Sequence, residues 1–273
     1  MKIKIILTSV IISLLFFECK SHINTSSSGE TKEKTFSEKV EENDTSQIQK
    51  SIIGMISNYT NGAGLITSYD MISGEKIILG NIDQKGKFNL PLDENFLNTL
   101  SEKAKIAQEK APSGWKIEFN TIAKTFGCDG NELVYQNGEA IVTGIPDPNI
   151  TDKEGNKVVG VLYAVSQPEI AKWLYSYGQD NAVKGYYLQW YFVENQSSVK
   201  GKCEIPTYTG IGNENYDHVT VTNLEFQKGW NLLKYNILEV FKDANGKTTP
   251  SKIEINRIAA IPQDVQWYAV TVE

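Results

Sequence analysis

Histidine and cysteine, the side chains that most often serve as catalytic bases and nucleophiles, are scarce in this chain. Its 273 residues include two histidines and three cysteines. His218 is the only histidine after His22, and although it follows Asp217, no G-x-S-x-G motif supplies a serine for it to activate. The sequence also lacks an H-E-x-x-H motif, a P-loop and a G-x-G-x-x-G motif. We therefore predict a protein that is not an enzyme and that binds no metal ion or cofactor.

Carboxylates are plentiful, with 33 aspartates and glutamates in total, and two of them on either side of a sugar can hydrolyse a glycosidic bond. No acidic residue lies in a context typical of a buried catalytic acid, so a secreted carbohydrate-active hydrolase using paired carboxylates is the alternative interpretation. The acidic segments 83–86, 147–154 and 243–246 lack the EF-hand pattern of calcium ligands. We interpret these three segments as hairpin turns.

A tyrosine-rich strand is the one feature whose side chains suggest ligand binding. Alternate side chains of a strand point to opposite faces, so Tyr187, Gln189 and Tyr191 share a face. The intervening residues suit a hydrophobic core: Tyr186, Leu188, Trp190 and Phe192. A tyrosine offers a flat apolar ring and a hydroxyl, which fit a sugar ring or a peptide. The first face is therefore either an exposed ligand platform or cross-strand aromatic packing.

Two of the three cysteines, Cys128 and Cys203, lie in the body of the chain. Disulfides persist in exported proteins, and two cysteines in such a protein most simply form one disulfide. Two separate free thiols are the other interpretation. No C-x-x-C motif is present, so nothing in the sequence indicates a redox role.

The charge balance bears on the class of partner. Acidic residues outnumber basic ones by 33 to 27, which gives a formal net charge of -6. A nucleic-acid-binding protein needs a basic face to displace counterions from phosphates, so we predict no nucleic-acid partner. Hydrophobic residues make up 40% of the chain and charged residues 22%, which are the proportions of a globular protein.

Residues 1–18 follow the pattern of a signal peptide. Lys2 and Lys4 form a positively charged start, and an apolar stretch runs from Ile5 to Phe17. This stretch is shorter than the roughly twenty residues that a membrane-spanning helix needs. We therefore predict a cleaved signal, with an uncleaved membrane anchor as the alternative.

The sequence Leu15-Phe16-Phe17-Glu18-Cys19 resembles the cleavage site of bacterial lipoproteins. In that family the signal is cut just before the cysteine, whose thiol then receives a diacylglycerol. The resemblance implies that Cys19 is lipidated and that its acyl chains, palmitate among them, hold the protein on the membrane. Glu18 stands where the family has a small residue, and cleavage after Ser21, which would give a secreted protein, is the alternative.

Residues 19–50 are predicted to be a flexible, lipid-anchored stalk. After Cys19 they are rich in serine, threonine, glutamate, lysine and asparagine, with few apolar side chains. Such a segment buries too little apolar surface to offset the entropy lost on ordering it. An acidic body offers no polybasic patch for anionic lipid, so the acyl chains would be the anchor.

From residue 51 onward, short stretches with a period of two alternate with turn signals, a pattern typical of antiparallel β-sandwiches. One amphipathic helix is predicted near residues 93–110, where Asp93 is a candidate N-cap. A short helix is also predicted over residues 168–175. We predict a mainly β protein, with a small β-rich region plus the first helix at 51–111 and a β-sandwich domain at 112–273.

The strand Ile53-Gly54-Met55-Ile56 and the turn and strand at 83–90 resemble the transthyretin-like, or carboxypeptidase-regulatory-like, β-sandwich. The resemblance covers at most residues 51–92. It implies a structural or interaction-mediating module without catalytic residues.

The composition of the whole chain resembles that of envelope lipoproteins of the Bacteroidetes type, which implies attachment to the outer membrane. Lys20-Ser21-His22-Ile23 lacks the acidic residues associated with surface display in those bacteria, and this favours the periplasmic face. We predict a non-enzymatic envelope lipoprotein, tethered through its lipid, that binds a glycan or another envelope protein. A structural adhesion subunit is a further alternative.

Overall fold

The computed structural model describes residues 50–69, 76–128, 133–145 and 148–272. The predicted signal peptide, Cys19 and the stalk up to residue 49 lie outside these ranges. The helices are α1 (Phe96–Lys110), α2 (Ile122–Thr125) and α3 (Pro168–Tyr175). The strands are β1 (Ser51–Met55), β2 (Gly64–Tyr69), β3 (Lys76–Ile82), β4 (Lys87–Pro91), β5 (Val134–Gln136), β6 (Val142–Gly144), β7 (Asn149–Thr151), β8 (Val158–Val165), β9 (Gly185–Val193), β10 (Ser197–Tyr208), β11 (Asn215–Phe226), β12 (Gly229–Lys242), β13 (Thr248–Ile258) and β14 (Gln266–Thr271). No helix within the described ranges is long and apolar enough to cross a bilayer.

These strands belong to one sheet, whose order is β1-β4-β3-β2-β7-β8-β9-β12-β13-β11-β10-β5. In addition, β14 pairs with β8, and β6 pairs with β9. Most neighbours are antiparallel, whereas β11 and β13 run parallel. The predicted mainly β, antiparallel fold is confirmed, and so is the first amphipathic helix.

Two hairpin turns are held by the same kind of side-chain hydrogen bond, from turn N–H groups to an aspartate carboxylate. The Asp83 carboxylate accepts the backbone N–H groups of Lys85 and Lys87 at 2.8 and 3.0 Å, between β3 and β4. Asp243 accepts those of Asn245 and Lys247 at 2.9 and 2.8 Å, between β12 and β13. An aspartate that satisfies two turn N–H groups fixes the loop geometry and hence the strand register. The interpretation of both acidic segments as hairpin turns is confirmed.

Helix α1 begins later than the sequence indicates. The helix starts at Phe96, and Asn95 precedes it without a side-chain capping bond. Asp93 instead accepts the Asn95 N–H at 2.8 Å, which forms a turn before the helix. The buried stripe is Leu97, Leu100 and Ala104.

The first part of the sheet curls until its ends meet. Ile56, just after β1, forms an isolated bridge with Trp267 of β14. The Asn58 amide donates to the Ala269 carbonyl at 2.8 Å and accepts the Ala269 N–H at 3.1 Å. The curl encloses a core that includes Ile66 and Phe88 and extends onto the face of β9 that carries Trp190.

The second part of the sheet is formed by the long strands β9 to β13. On the opposite face of β9, α2 covers one core around Leu233, and α3 covers another around Ile237. Cys128 and Cys203 are joined by a disulfide, with 5.8 Å between their Cα atoms. The disulfide ties the segment after α2 to β10.

Candidate functional site

The two parts of the sheet meet at strand β9, which forms only a short pairing with β8. β8 and β9 pair at one position, Val165 with Tyr187. The two strands then diverge, because β8 pairs with β7 and β9 pairs with β6.

Ile145, just after β6, and Pro148, just before β7, each form a backbone hydrogen bond with one of the two diverging strands. The Ile145 N–H donates to the Trp190 carbonyl of β9 at 3.2 Å. The Leu162 N–H of β8 donates to the Pro148 carbonyl at 2.9 Å. Pro148 has no N–H of its own to extend a ladder. The Trp190 carbonyl of β9 and the Leu162 N–H of β8 are therefore paired although the two strands do not pair with each other at these positions.

A cavity of about 240 Å³ occupies this gap. Its walls include Leu188 and Trp190, which point to one face of β9, and Tyr187 and Gln189, which point to the other. Because side chains from both faces of β9 line the cavity, the cavity extends around the edge of this strand. The remaining walls are Ile52, Leu90, Ile145, Pro148, Leu162, Tyr163, Ala164, Leu174, Tyr177 and Trp267. We call this space the seam cavity.

Among the residues that the structure describes, the walls of the seam cavity are mostly apolar and include no charged side chain. The rings of Trp190 and Trp267 lie nearly parallel, with centroids 5.9 Å apart and an angle of 22° between them. Trp190 is 7% exposed, and its buried indole Nε1–H has no hydrogen-bond partner among the described residues. A buried donor without a partner costs about 1–3 kcal/mol. Because the Trp190 Nε1 atom has almost no accessible surface, it is the ring of Trp190, and not its N–H, that borders the cavity.

The cavity opens to solvent at the C-terminal end of α3. Tyr177 lines it and is 91% exposed, which places this ring at the mouth. Its backbone φ is 51°, in the left-handed region that residues other than glycine seldom adopt. The adjacent Lys247 ammonium donates to the carbonyls of Gly178, Gln179 and Asp180 and so holds the end of the helix in place.

The polar wall of the cavity belongs to a tyrosine network. The Tyr191 hydroxyl donates to Gln189 Oε1 at 2.8 Å and lies 3.2 Å from the Tyr235 hydroxyl. Tyr187 stacks on Tyr235, with centroids 4.7 Å apart and a 9° interplanar angle. Because Gln189 Oε1 is occupied, its Nε2 group is the part left to donate toward a ligand.

Burial raises the pKa of the Tyr187, Tyr191 and Tyr235 hydroxyls. For Tyr235 the neighbouring Tyr191 adds to this effect. All three phenols are therefore neutral at physiological pH and act as hydrogen-bonding groups and apolar rings, not as charges.

The structure does not present the predicted tyrosine face as an open platform. Tyr187 and Tyr191 are half-buried, and the Tyr191 ring packs edge-on against Phe126 at 5.6 Å. Rings enclosed by α2, α3 and their own neighbours leave no flat aromatic surface for a sugar. Tyr187 and Gln189 line the seam cavity, whereas Tyr191 lines a separate cavity of about 340 Å³ next to Ser68.

Alternation along β9 predicts that Trp190 belongs to the core, and no sequence pattern indicates that Trp267 and Tyr177 line the same cavity. The position of Trp267 depends on a contact with β1 across most of the chain, and no local pattern reveals it.

Two carboxylates do not meet in any of the three described cavities. The seam cavity has none, the cavity beside Ser68 has Glu118, and a third cavity of about 690 Å³ has Asp83. Across the described ranges, no three histidine, cysteine, aspartate or glutamate side chains come together in a metal-binding arrangement.

Comparison of the chain with protein-family models, with curated proteins and with solved structures gave no match.

Proposed function

We propose that this protein is a non-enzymatic lipoprotein of the bacterial cell envelope whose body binds a small, mostly apolar ligand in the seam cavity. The observation that carries the binding proposal is an open, mostly apolar cavity of about 240 Å³ with two tryptophan rings in its wall. Apolar cavities with a few polar groups are typical of small-molecule sites.

The character of the cavity walls favours an apolar ligand over a buried sugar. Each sugar hydroxyl that enters a protein needs a hydrogen-bond partner, because an unpaired buried hydroxyl is costly. Besides Gln189 and three tyrosines, the described walls of the seam cavity are apolar and include Leu162, Ala164 and Leu188. A glycan would leave several hydroxyls unsatisfied in such a site.

The case for a binding protein over a hydrolase depends on how the acidic side chains are distributed. A glycosidase needs two carboxyl groups within about 5–10 Å of each other across a sugar site. The three described cavities have at most one carboxylate each.

A cavity-filling variant tests the binding proposal. Ala164 lines the seam cavity, so Ala164→Leu should fill part of it, abolish binding of a neutral aromatic probe such as naphthalene, and leave the folded state intact. Ala260→Leu adds the same atoms at an exposed position and is the matched control. Equal probe affinity in the two full-length variants would place binding elsewhere and contradict the proposal.

The envelope location has an independent test at Cys19. A Cys19→Ser variant should lose palmitate labelling and membrane association in a bacterial host. Unlabelled protein that stays on the membrane would point to an uncleaved anchor, and unlabelled wild type in the medium would point to cleavage after Ser21.

A further inference from the structure

The cavity of about 690 Å³ is an open groove that crosses strands β1, β4, β3 and β2 and shares no lining residue with the seam cavity. We propose that this groove is a second binding site, which takes a short, extended and acidic peptide segment. The inference depends on the strand register under the groove, on two asparagine amides in its floor and on two lysines in its walls.

The strand register places the floor of the groove on the solvent side of the sheet. Ile53 of β1 pairs with Asn89 of β4, which pairs with Asn81 of β3. Asn81 in turn pairs with Leu65 of β2. Paired residues point to the same face, so these four side chains form one row across the strands. Phe88, next to Asn89, points the other way, into the core that the curled sheet encloses.

The two asparagines in this row match the hydrogen-bonding groups of a peptide backbone. A side-chain carboxamide has one carbonyl acceptor and one NH₂ donor, and a peptide unit has the same two kinds of group. Asn81 and Asn89 are exposed, and neither side chain has a hydrogen-bond partner among the described residues. Ile53, which is 57% exposed, and Leu65 lie on either side of the pair and provide apolar surface for a peptide side chain.

Two lysines give the groove its preference for a negatively charged partner. Lys87 and Lys153 line the groove, are exposed and form no ion pair with a described carboxylate. Lys87 is on β4 and Lys153 follows β7, which is three strands further along the sheet. Strands lie about 4.8 Å apart, so the two lysines are roughly 14 Å apart, about the length of four residues in an extended chain. Carboxylates at positions i and i+4 of an extended peptide point to the same side and so can reach both lysines.

The carboxylate of Asp83 also lines the groove, but it already has partners. It accepts the backbone N–H groups of Lys85 and Lys87 at 2.8 and 3.0 Å. These two N–H dipoles offset part of its negative charge. The described walls therefore present two unpaired cations and one hydrogen-bonded anion.

The groove suits a peptide better than a sugar. Phe88 is the one aromatic residue in the described walls, and it is 1% exposed, so a sugar ring finds no exposed aromatic face there. The asparagine pair and the apolar residues beside it instead match the alternation of amides and side chains along an extended peptide.

Three peptides of five residues test the inference on the full-length protein. Ac-Glu-Ser-Val-Ser-Glu-NH₂ has two carboxylates four residues apart, Ac-Gln-Ser-Val-Ser-Gln-NH₂ is its neutral counterpart, and Ac-Lys-Ser-Val-Ser-Lys-NH₂ has the opposite charge. Affinities are measured at low salt by nitrogen-15 NMR titration, which also detects weak binding. We expect the acidic peptide to bind about five- to tenfold more tightly than the neutral one, as two exposed ion pairs provide, and the basic peptide not to bind.

Charge reversal assigns this preference to the two lysines. The double variant Lys87→Glu/Lys153→Glu should bind the basic peptide most tightly of the three. Lys228→Glu/Lys242→Glu changes the net charge by the same amount at exposed positions outside the groove and is the matched control. This control should keep the preference for the acidic peptide.

Removing the two amides tests the contact with the peptide backbone. Asn81→Ala/Asn89→Ala should weaken the acidic and the neutral peptide by the same factor, about tenfold, because the amides contact groups that both peptides have. An unchanged affinity would contradict a peptide that lies across the asparagine pair.

The outcomes separate this inference from the proposed ligand site. Equal binding of the acidic and neutral peptides, or a reversed preference in the control variant, would overturn the inference. Binding of phosphatidylglycerol vesicles or of trigalacturonate through the same lysines, without binding of the acidic peptide, would also overturn it, in favour of a membrane or an acidic glycan. Ala164→Leu changes the seam cavity alone, so peptide binding should be unaffected, and its loss in this variant would contradict a separate site.

Discussion

The two edges of β9 differ in how completely they are paired. Along one edge, Gly185–Val193 pairs with β12 in a continuous register from Gly229 to Ile237. Along the other edge, β9 pairs with β8 at one position and with the three residues of β6. We call the fully paired β9–β12 edge the closed seam and the partly paired β9–β8 edge the open seam.

The difference between the two seams lies in their backbone hydrogen bonds. A two-strand ladder leaves no space between backbones about 5 Å apart. At the open seam, Ile145 and Pro148 take the place of direct ladder bonds between β8 and β9. We therefore expect truncations at the closed seam to cost more free energy of unfolding than truncations at the open one, where the cavity lies.

Removing the disulfide should have the largest effect on the free energy of unfolding without changing binding in the seam cavity. Replacing Cys128 and Cys203 with alanine opens a loop across a sequence separation of 75, which should lower the free energy of unfolding by about 4 kcal/mol. Neither cysteine lines the seam cavity, so probe affinity should be unchanged. Urea unfolding and calorimetry check the two quantities, and a fall in probe affinity would show that the regions are coupled.

A pair of leucine truncations compares the two seams directly. Leu233 of β12 is fully buried in the closed region, and Leu233→Ala should lower the free energy of unfolding by about 3–4 kcal/mol. Leu162 of β8 is also buried but already borders empty space, so Leu162→Ala should cost about 2 kcal/mol. Equal costs in urea unfolding would contradict the contrast.

The buried phenols should make the protein sensitive to alkaline pH. Their pKa values are raised in the folded state, so they stabilise it below the unfolded pKa of about 10, and this contribution is lost as the pH rises further. The loss is at most about 1.4 kcal/mol per pH unit for each phenol. Tyr235→Phe removes one of these groups and should make the decline shallower between about pH 10 and pH 12. An unchanged decline would mean that Tyr235 ionises freely.

The smallest predicted effect lies at the mouth of the open seam. Tyr177 has a left-handed backbone, which a glycine adopts without penalty, so Tyr177→Gly should raise the free energy of unfolding by about 1 kcal/mol. The variant also removes a ring from the mouth of the cavity and should speed probe dissociation. Greater stability with an unchanged dissociation rate would show that the ring has no part in binding.

Sequence patterns predicted the regular parts of the fold because those parts follow local rules. The helix over residues 168–175 has a proline in its first turn and an apolar face, and the structure has α3 at Pro168–Tyr175. The Asn245-Gly246 turn predicted the β12–β13 hairpin, and Gly246 has the positive φ that such turns require.

Two segments differ from what their local sequence patterns predict. Gly201 and Pro206 weaken a strand pattern, but β10 lies near the sheet edge, where both residues are tolerated. The alternating residues at 115–119 predict a strand, whereas the Gln108 side chain holds this segment by bonds to the Trp115 carbonyl and the Ile117 N–H. Trp115 itself is 71% exposed.

The candidate site was only half predictable from sequence. Alternation along β9 correctly grouped Tyr187 with Gln189, because side chains in a strand follow a period of two. The same rule places Trp190 on the other face of β9, so it does not predict that Tyr187, Gln189 and Trp190 line one cavity. A gap between strands depends on which distant strands pair, and the local periodicity of the sequence does not predict it.

The most direct test of the seam cavity as a ligand site is the indole N–H signal of Trp190 in a nitrogen-15 NMR spectrum. The chain has five tryptophans, and the Trp190 and Trp173 signals can be assigned from Trp190→Phe and Trp173→Phe variants. On addition of naphthalene, the Trp190 signal should shift because the aromatic probe lies against the Trp190 ring, while the signal of Trp173, which does not line the cavity, stays in place. A stationary Trp190 signal at saturating probe would contradict the account.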